Sequence, residues 1–188
     1  MNKIILGFTG EIASGKGTAS AYLAAKYGAP AYRFSTVLRD ILTRLSLPID
    51  RDCMQRLSGA LRTTFGSDVL SHVIAADVAS DPAAIIAVDG VRRLEDIIGL
   101  KNIPGFVLVA ITTEEQLRWQ RLRQRGENAD DTTKTLEQFK LDQQGEAEQQ
   151  IRTAVAKANY TITNNGTLAE LYQQIDALLQ TLGYGNKS

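Results

Sequence analysis

Gly10-Glu11-Ile12-Ala13-Ser14-Gly15-Lys16-Gly17-Thr18 decides the fold of this chain. The spacing is Gly-x-x-x-x-Gly-Lys, followed by Gly-Thr. Before it runs Ile4 to Phe8, a short apolar stretch that predicts a buried parallel strand. After it, Lys16 to Tyr27 carries Ala19, Tyr22, Leu23 and Lys26 at helical spacing, with Gly28 as a stop. Strand, small-residue loop and helix in that order make an anion site. Glycines and small residues let successive backbone N–H groups turn inward against phosphate oxygens. The positive end of the following helix faces the same charge. Lys16 is placed to reach the β- and γ-phosphates of a nucleoside triphosphate. Gly10, Ala13, Ser14, Gly15, Lys16, Gly17 and Thr18 are therefore the expected nucleotide-binding residues, with ATP and Mg²⁺ as the implied ligands. The hydroxyl that usually ligates Mg²⁺ follows the lysine directly, but Gly17 stands there and Thr18 comes next. Either Thr18 acts at one remove, or phosphates, waters and a distant carboxylate hold the ion.

Outward from the loop, short apolar runs alternate with helical patterns. Strands are expected at Ala29 to Phe34, Ala83 to Val88, Gly105 to Thr112 and Tyr160 to Thr163. Helices are expected at Thr36 to Leu45, Cys53 to Phe65, Asp68 to Ala79 and Arg93 to Leu100, and over Glu114 to Arg125 with Thr113 as its cap. Lys134 to Lys157 is polar throughout and reads as one or two exposed helices, and Leu168 to Leu182 as a closing helix. The alternation predicts a three-layer α/β/α fold around a five-stranded parallel sheet covered on both faces. One domain is expected over residues 1–188, with a core at 1–37 and 81–183. A helical insertion at 38–80 would form an acceptor arm, a short lid would span about 126–133, and Gly183 to Ser188 would fray.

Composition narrows the function. Lys+Arg and Asp+Glu are both 21, which argues against a general nucleic-acid binder, because sequence-independent affinity needs excess positive charge. Cys53 is the only cysteine and His72 the only histidine, so an intramolecular disulfide, a cysteine zinc site and a histidine-rich metal site are excluded. No apolar stretch approaches a membrane span, and the apolar run at the start is too short for a signal peptide. A cytoplasmic protein is expected, and its oligomeric state is open.

The loop form Gly-x-x-x-x-Gly-Lys-Gly-Thr resembles that of adenylate kinase and related nucleoside monophosphate kinases. It is also similar to an adenylate-kinase-like group common in archaea and, more distantly, to dephospho-CoA kinase. The resemblance implies that Arg39, in Phe34-Ser35-Thr36-Val37-Leu38-Arg39, grips an acceptor phosphate. It pairs Val88-Asp89-Gly90-Val91-Arg92-Arg93 with the family's Asp-Gly-Arg segment, making Asp89 a candidate for ordering Mg²⁺ and Arg92 and Arg93 acceptor ligands. A carboxylate at the end of a buried parallel strand would point into the ligand crevice. Arg118, Arg121 and Arg125 recur at i, i+3 and i+7 on one helix face. The resemblance makes Arg121 and Arg125 lid arginines that neutralise the transferring phosphoryl group. Asn164, Asn165 and Gly166 correspond to the loop beside adenine, or they form an ordinary turn with Thr167 as helix cap. Asp142 and Glu146 would hold lid arginines or face water.

The implied activity is transfer of the γ-phosphate of Mg-ATP to a nucleoside monophosphate or similar small nucleotide, with Lys16, Arg92, Arg121 and Arg125 as catalytic groups. The alternatives are a dephospho-CoA-kinase-like enzyme and an ATP-dependent switch or chaperone acting on a protein. Three features depart from the family pattern. The loop lacks the adenylate-kinase proline, Leu94-Glu95-Asp96 stands where a glutamine would read AMP, and no aspartate follows the second strand.

Overall fold

The computed structural model describes residues 3–126 and 131–185. Five parallel strands form one sheet in the order β2-β3-β1-β4-β5. β1 (Ile4–Thr9) lies at the centre, pairing with β3 (Ile85–Val91) on one side and β4 (Phe106–Thr112) on the other. β2 (Ala31–Arg33) and β5 (Tyr160–Thr163) form the edges. Every residue of β1 is buried. That is why it reads as a continuous apolar run: side chains alternate between two faces, and both are covered.

The two faces define two cores. Ile4, Leu6 and Phe8 pack with α1 (Lys16–Tyr27) and α8 (Leu168–Thr181) through Ala19, Leu23, Leu171 and Ile175. Ile5, Ile86 and Val88 pack on the opposite side with α2 (Phe34–Arg44) and α4 (Val69–Ser80) through Phe34, Leu38, Leu70 and Ile74. α3 (Arg51–Phe65) has no fully buried residue and rests on the second core through Met54, Leu57 and Leu61. Thus α2, α3 and α4, which lie between β2 and β3 in sequence, cover one face beside the carboxyl ends of the strands.

Four expectations are corrected. β3 does not stop at Val88 but runs through Asp89 and Gly90 to Val91. Its register with β1 shifts there, Phe8 facing Asp89 and Thr9 facing Val91, so Gly90 is bulged at φ 88° rather than forming a plain turn. The helix expected over Arg93 to Leu100 is a short 3₁₀ segment, Leu94–Ile97. It is tightened by the Asp96 carboxylate bonding back to backbone N–H groups. Lys134 to Lys157 forms α6 (Leu136–Asp142) and α7 (Glu146–Ala156), but these are not merely solvated. Phe139, Ile151 and Ala154 are buried, because the polar chemistry of this stretch is confined to its outer faces. α5 (Glu115–Arg125) completes the set, with Glu114 rather than Thr113 at its cap position.

Candidate phosphate-binding site

The loop after β1 has the backbone an anion site needs. Gly10, Ala13 and Gly15 all have positive φ, at 151°, 59° and 107°. Ala13 is notable, since a residue with Cβ holds that conformation at a cost. A Cβ at Gly10 would meet the Ile111 carbonyl and the Ser14 hydroxyl. Gly15 is the N-cap of α1 and supplies no side-chain cap, so the first N–H groups of the helix stay available. Ser14 is buried, and its Oγ has no hydrogen-bond partner among the described residues.

Lys16 folds over this loop. Its Nζ donates to the carbonyls of Gly10 and Glu11 at 2.6 and 2.9 Å. Burial depresses its pKa to about 8, against the opposing pull of Asp89 and with the further push of Arg92. Thr18 is half-buried in the first turn of α1, and Gly17 beside it is exposed.

Distant segments brace the loop. Asn164 is buried, and its Nδ2 donates to the Ser14 carbonyl at 2.8 Å while also walling Gly15. Thr113 Oγ1 lies within hydrogen-bond reach of the Ser14 and Asn164 carbonyls, at 3.0 and 3.2 Å. Its hydroxyl is turned to the loop, and the α5 N-cap position falls on Glu114 with no side-chain cap among the described residues. Asn165 is tied to Glu114, accepting its N–H at 2.9 Å, and Thr167 caps α8 with Glu170 in a reciprocal pair. Gly166 is exposed in the turn between them.

The three arginines of α5 separate. Arg118 is 3% exposed, and its guanidinium bonds Gln143 at 2.6 Å, Glu11 at 3.1 Å and the Thr113 carbonyl at 3.2 Å. It is a bracket between the loop, α5 and the end of α6. Arg121 is half-buried and reaches Thr113 Oγ1 at 3.4 Å. Arg125 is exposed and close enough to lower the proton affinity of Lys16. Residues 127–130 of the expected lid lie outside the described residues.

On the other side, Asp89 pairs with Arg33 at 3.0 Å and is also within electrostatic reach of Lys16. Arg92 is exposed and acts on the Lys16 charge. Arg93 is half-buried, and its Nε has no hydrogen-bond partner among the described residues. Arg39 is exposed on α2, and no hydrogen bond or ion pair among the described residues ties it to the loop. Asp142 pairs with Lys134 at 2.8 Å, and exposed Glu146 accepts from Gln150 of its own helix.

Four residues that bear on this site were not singled out for it by sequence. Asp96 is buried, accepts the N–H groups of Arg92 and Arg93 at 3.0 and 3.3 Å, and receives Arg62 at 2.9 Å. It therefore sets the backbone that carries both arginines and ties it to α3. Glu11 binds Arg118 and Arg152 at once, at 3.1 and 2.9 Å. Glu148, on α7, lies within electrostatic reach of Lys16, Arg92, Arg118 and Glu11. An aspartate three residues after Arg93 was a readable signal for a backbone-capping turn; Glu11, Arg62 and Glu148 carried none, since their partners are far away in sequence.

The arrangement is compatible with a phosphate group: positive-φ loop residues, a helix start without a side-chain cap, a buried hydroxyl without a partner among the described residues, and a half-buried lysine. Thr18 and Asp89, the residues expected at Mg²⁺, are both half-buried, in the first turn of α1 and near the end of β3.

Comparison with known proteins gives the same picture. A family model described as an AAA domain matches residues 9–140. The chain is 29% identical to a "UPF0200 protein" of Hyperthermus butylicus, covering 96% of each chain. It is 28% identical to a "UPF0200 protein" of Methanoculleus marisnigri, covering 95% of this chain and 97% of that one. Among solved structures it superposes on TT1252 from Thermus thermophilus with a TM-score of 0.68 at 17% identity, covering 97% of this chain and 99% of that one. It superposes on a shikimate kinase from Bacteroides thetaiotaomicron with a TM-score of 0.63 at 15% identity, covering 95% and 98%. These likenesses support the sheet and its helical layers as a P-loop kinase-like fold, as expected from the loop outward.

Proposed function

The chain belongs to the AAA domain family, and from that premise we propose that it is a small-molecule kinase that moves the γ-phosphate of Mg-ATP to a small acceptor. The observation that carries this reading is the half-buried Lys16, its ammonium held over a loop of positive-φ residues. A buried ammonium with a depressed pKa gains most from phosphate oxygens, because they supply the counter-charge that burial removed.

In this reading residues 10–18 hold the triphosphate, with Asn165 and Gly166 beside the base. Thr18 and Asp89 would hold Mg²⁺, which when bound neutralises charge on the β- and γ-phosphates. Arg92 and Arg93 face the acceptor from a turn fixed by Asp96, and Arg39 would approach as the α2–α4 arm closes. Arg121 and Arg125 neutralise the group in flight. Closure excludes water and favours transfer over hydrolysis. A nucleoside monophosphate is the acceptor that the sequence resemblance implies, and a dephospho-CoA-like hydroxyl is the other.

A coupled ADP-release assay tests the reading, with Mg-ATP and a panel of nucleoside monophosphates, deoxynucleoside monophosphates, nucleosides and dephospho-CoA. Stimulation by one compound, lost in Lys16→Ala, is the expected result. A flat panel with ATP still bound would shift the reading to a nucleotide-dependent switch acting on a protein.

A further inference from the structure

Four carboxylates surround the loop and its arginines, and three are already neutralised. Glu11 is held by Arg118 and Arg152, Asp89 by Arg33, and Asp96 by Arg62 and two backbone N–H groups. Glu148 differs. It sits in the first turn of α7, which packs against β1, β4 and the Leu94–Ile97 segment. It is half-buried, and its Oε2 is shielded from solvent with no hydrogen-bond donor among the described residues. A buried acceptor oxygen without a donor is costly unless some bound group supplies one.

We propose that Glu148 accepts the proton of an acceptor hydroxyl, so that the small molecule phosphorylated at this site is an alcohol rather than a phosphate. The inference rests on the kinase reading above. An acceptor phosphate is already anionic, needs no base, and brings no proton to fill a bare acceptor oxygen. A hydroxyl is a donor, which is what Glu148 Oε2 lacks, and it needs a base to become a nucleophile. In the step, the hydroxyl oxygen bonds to the γ-phosphorus as its proton passes to Glu148. The bond from that phosphorus to the β–γ bridging oxygen breaks, ADP leaves, and the proton returns to solvent. The groups facing Glu148 are Glu11 from the loop, Lys16 from α1, Arg92 from the turn after β3 and Arg118 from α5. Burial and then Glu11 raise its proton affinity above the ordinary glutamate range, while the three cations oppose this. A base so raised is better matched to a neutral working pH.

Water is the simplest hydroxyl probe, so the test does not wait for the acceptor. ADP release from Mg-ATP is measured for the wild type, Glu148→Gln and Glu146→Gln, an exposed residue of the same helix turn. Release is read across pH, together with Mg-ATP affinity and thermal midpoint. Glu148→Gln should slow ADP release about 100-fold and remove the acid limb of the pH profile. Mg-ATP affinity should stay within about twofold, and the midpoint should be unchanged or raised, because the cost of burying the Glu148 charge and then its repulsion with Glu11 are relieved. Glu146→Gln should match the wild type. A nucleoside should stimulate wild-type release more than its monophosphate does, and lose that effect in Glu148→Gln. Wild-type rates in Glu148→Gln, or a lowered midpoint with an unaltered pH profile, would overturn the inference. So would stimulation by a nucleoside monophosphate that survives Glu148→Gln, although the kinase reading would then stand. Failure of the wild type to bind Mg-ATP would overturn both.

Discussion

At the scale of single residues, Lys16 and Arg118 feel the same force, since burial lowers the proton affinity of both. Both are cations removed from water, but Arg118 has three fixed acceptors, whereas Lys16 has two backbone carbonyls. Burial therefore lowers the Lys16 pKa from 10.5 to about 8. The folded protein binds fewer protons than the unfolded chain between those values, so the contribution of Lys16 to stability rises with pH across that window. ATP binding needs the charged form and runs the other way. ATP affinity should be flat below pH 8 and fall about tenfold per unit above it, a slope absent in Lys16→Ala when binding is followed by calorimetry. Arg118→Ala leaves Glu11 with Arg152 only. It should destabilise by about 3 kcal/mol and lower the thermal midpoint by roughly 6–12 °C. Helical spacing placed Arg118 on one face with Arg121 and Arg125. It could not distinguish a buried bracket from exposed phosphate ligands, because periodicity does not reveal what packs above a face.

Among elements, legibility follows locality. β1, the loop and α1 were readable because strand pattern, small residues and lysine are contiguous and each needs the next. The turn after β3 was only half readable. Asp89-Gly90 reads as a turn signal, and only pairing with β1 shows that the strand continues through a bulge. The polar composition of α6 and α7 concealed buried positions, since Ile151 and Ala154 are few apolar residues among many polar ones. The Leu94–Ile97 segment has its own test. Asp96→Asn removes the ion pair with Arg62 and weakens both bonds to the arginine backbone. It should destabilise by about 2 kcal/mol in denaturant titration. It should also raise the KM for the acceptor several-fold with a smaller effect on Mg-ATP affinity, because Asp96 holds the backbone of Arg92 and Arg93 and touches the loop only through the Arg92 charge.

For the molecule as a whole, alternation of strands and helices indicated a parallel sheet with two covered faces. The strand order was not legible, since it is set by which helix packs on which face rather than by any one segment. That order puts the loop between β3 and β4, so both sides of the sheet contribute to the site. Asn164 joins the far edge to the loop across 150 residues of chain. Asn164→Ala removes a donor to the buried Ser14 carbonyl, although Thr113 remains in reach. It should cost about 1 kcal/mol of stability and weaken ATP binding together with it, which a thermal shift series with increasing ATP would report. The central claim is that this loop delivers phosphate to a small molecule, and the fate of labelled γ-phosphate tests it most directly. Wild-type protein, Mg-ATP labelled at the γ-position and a small-molecule extract should yield label in an organic phosphate, absent with Lys16→Ala. Label found only as inorganic phosphate, released faster when a protein partner is added, would contradict it.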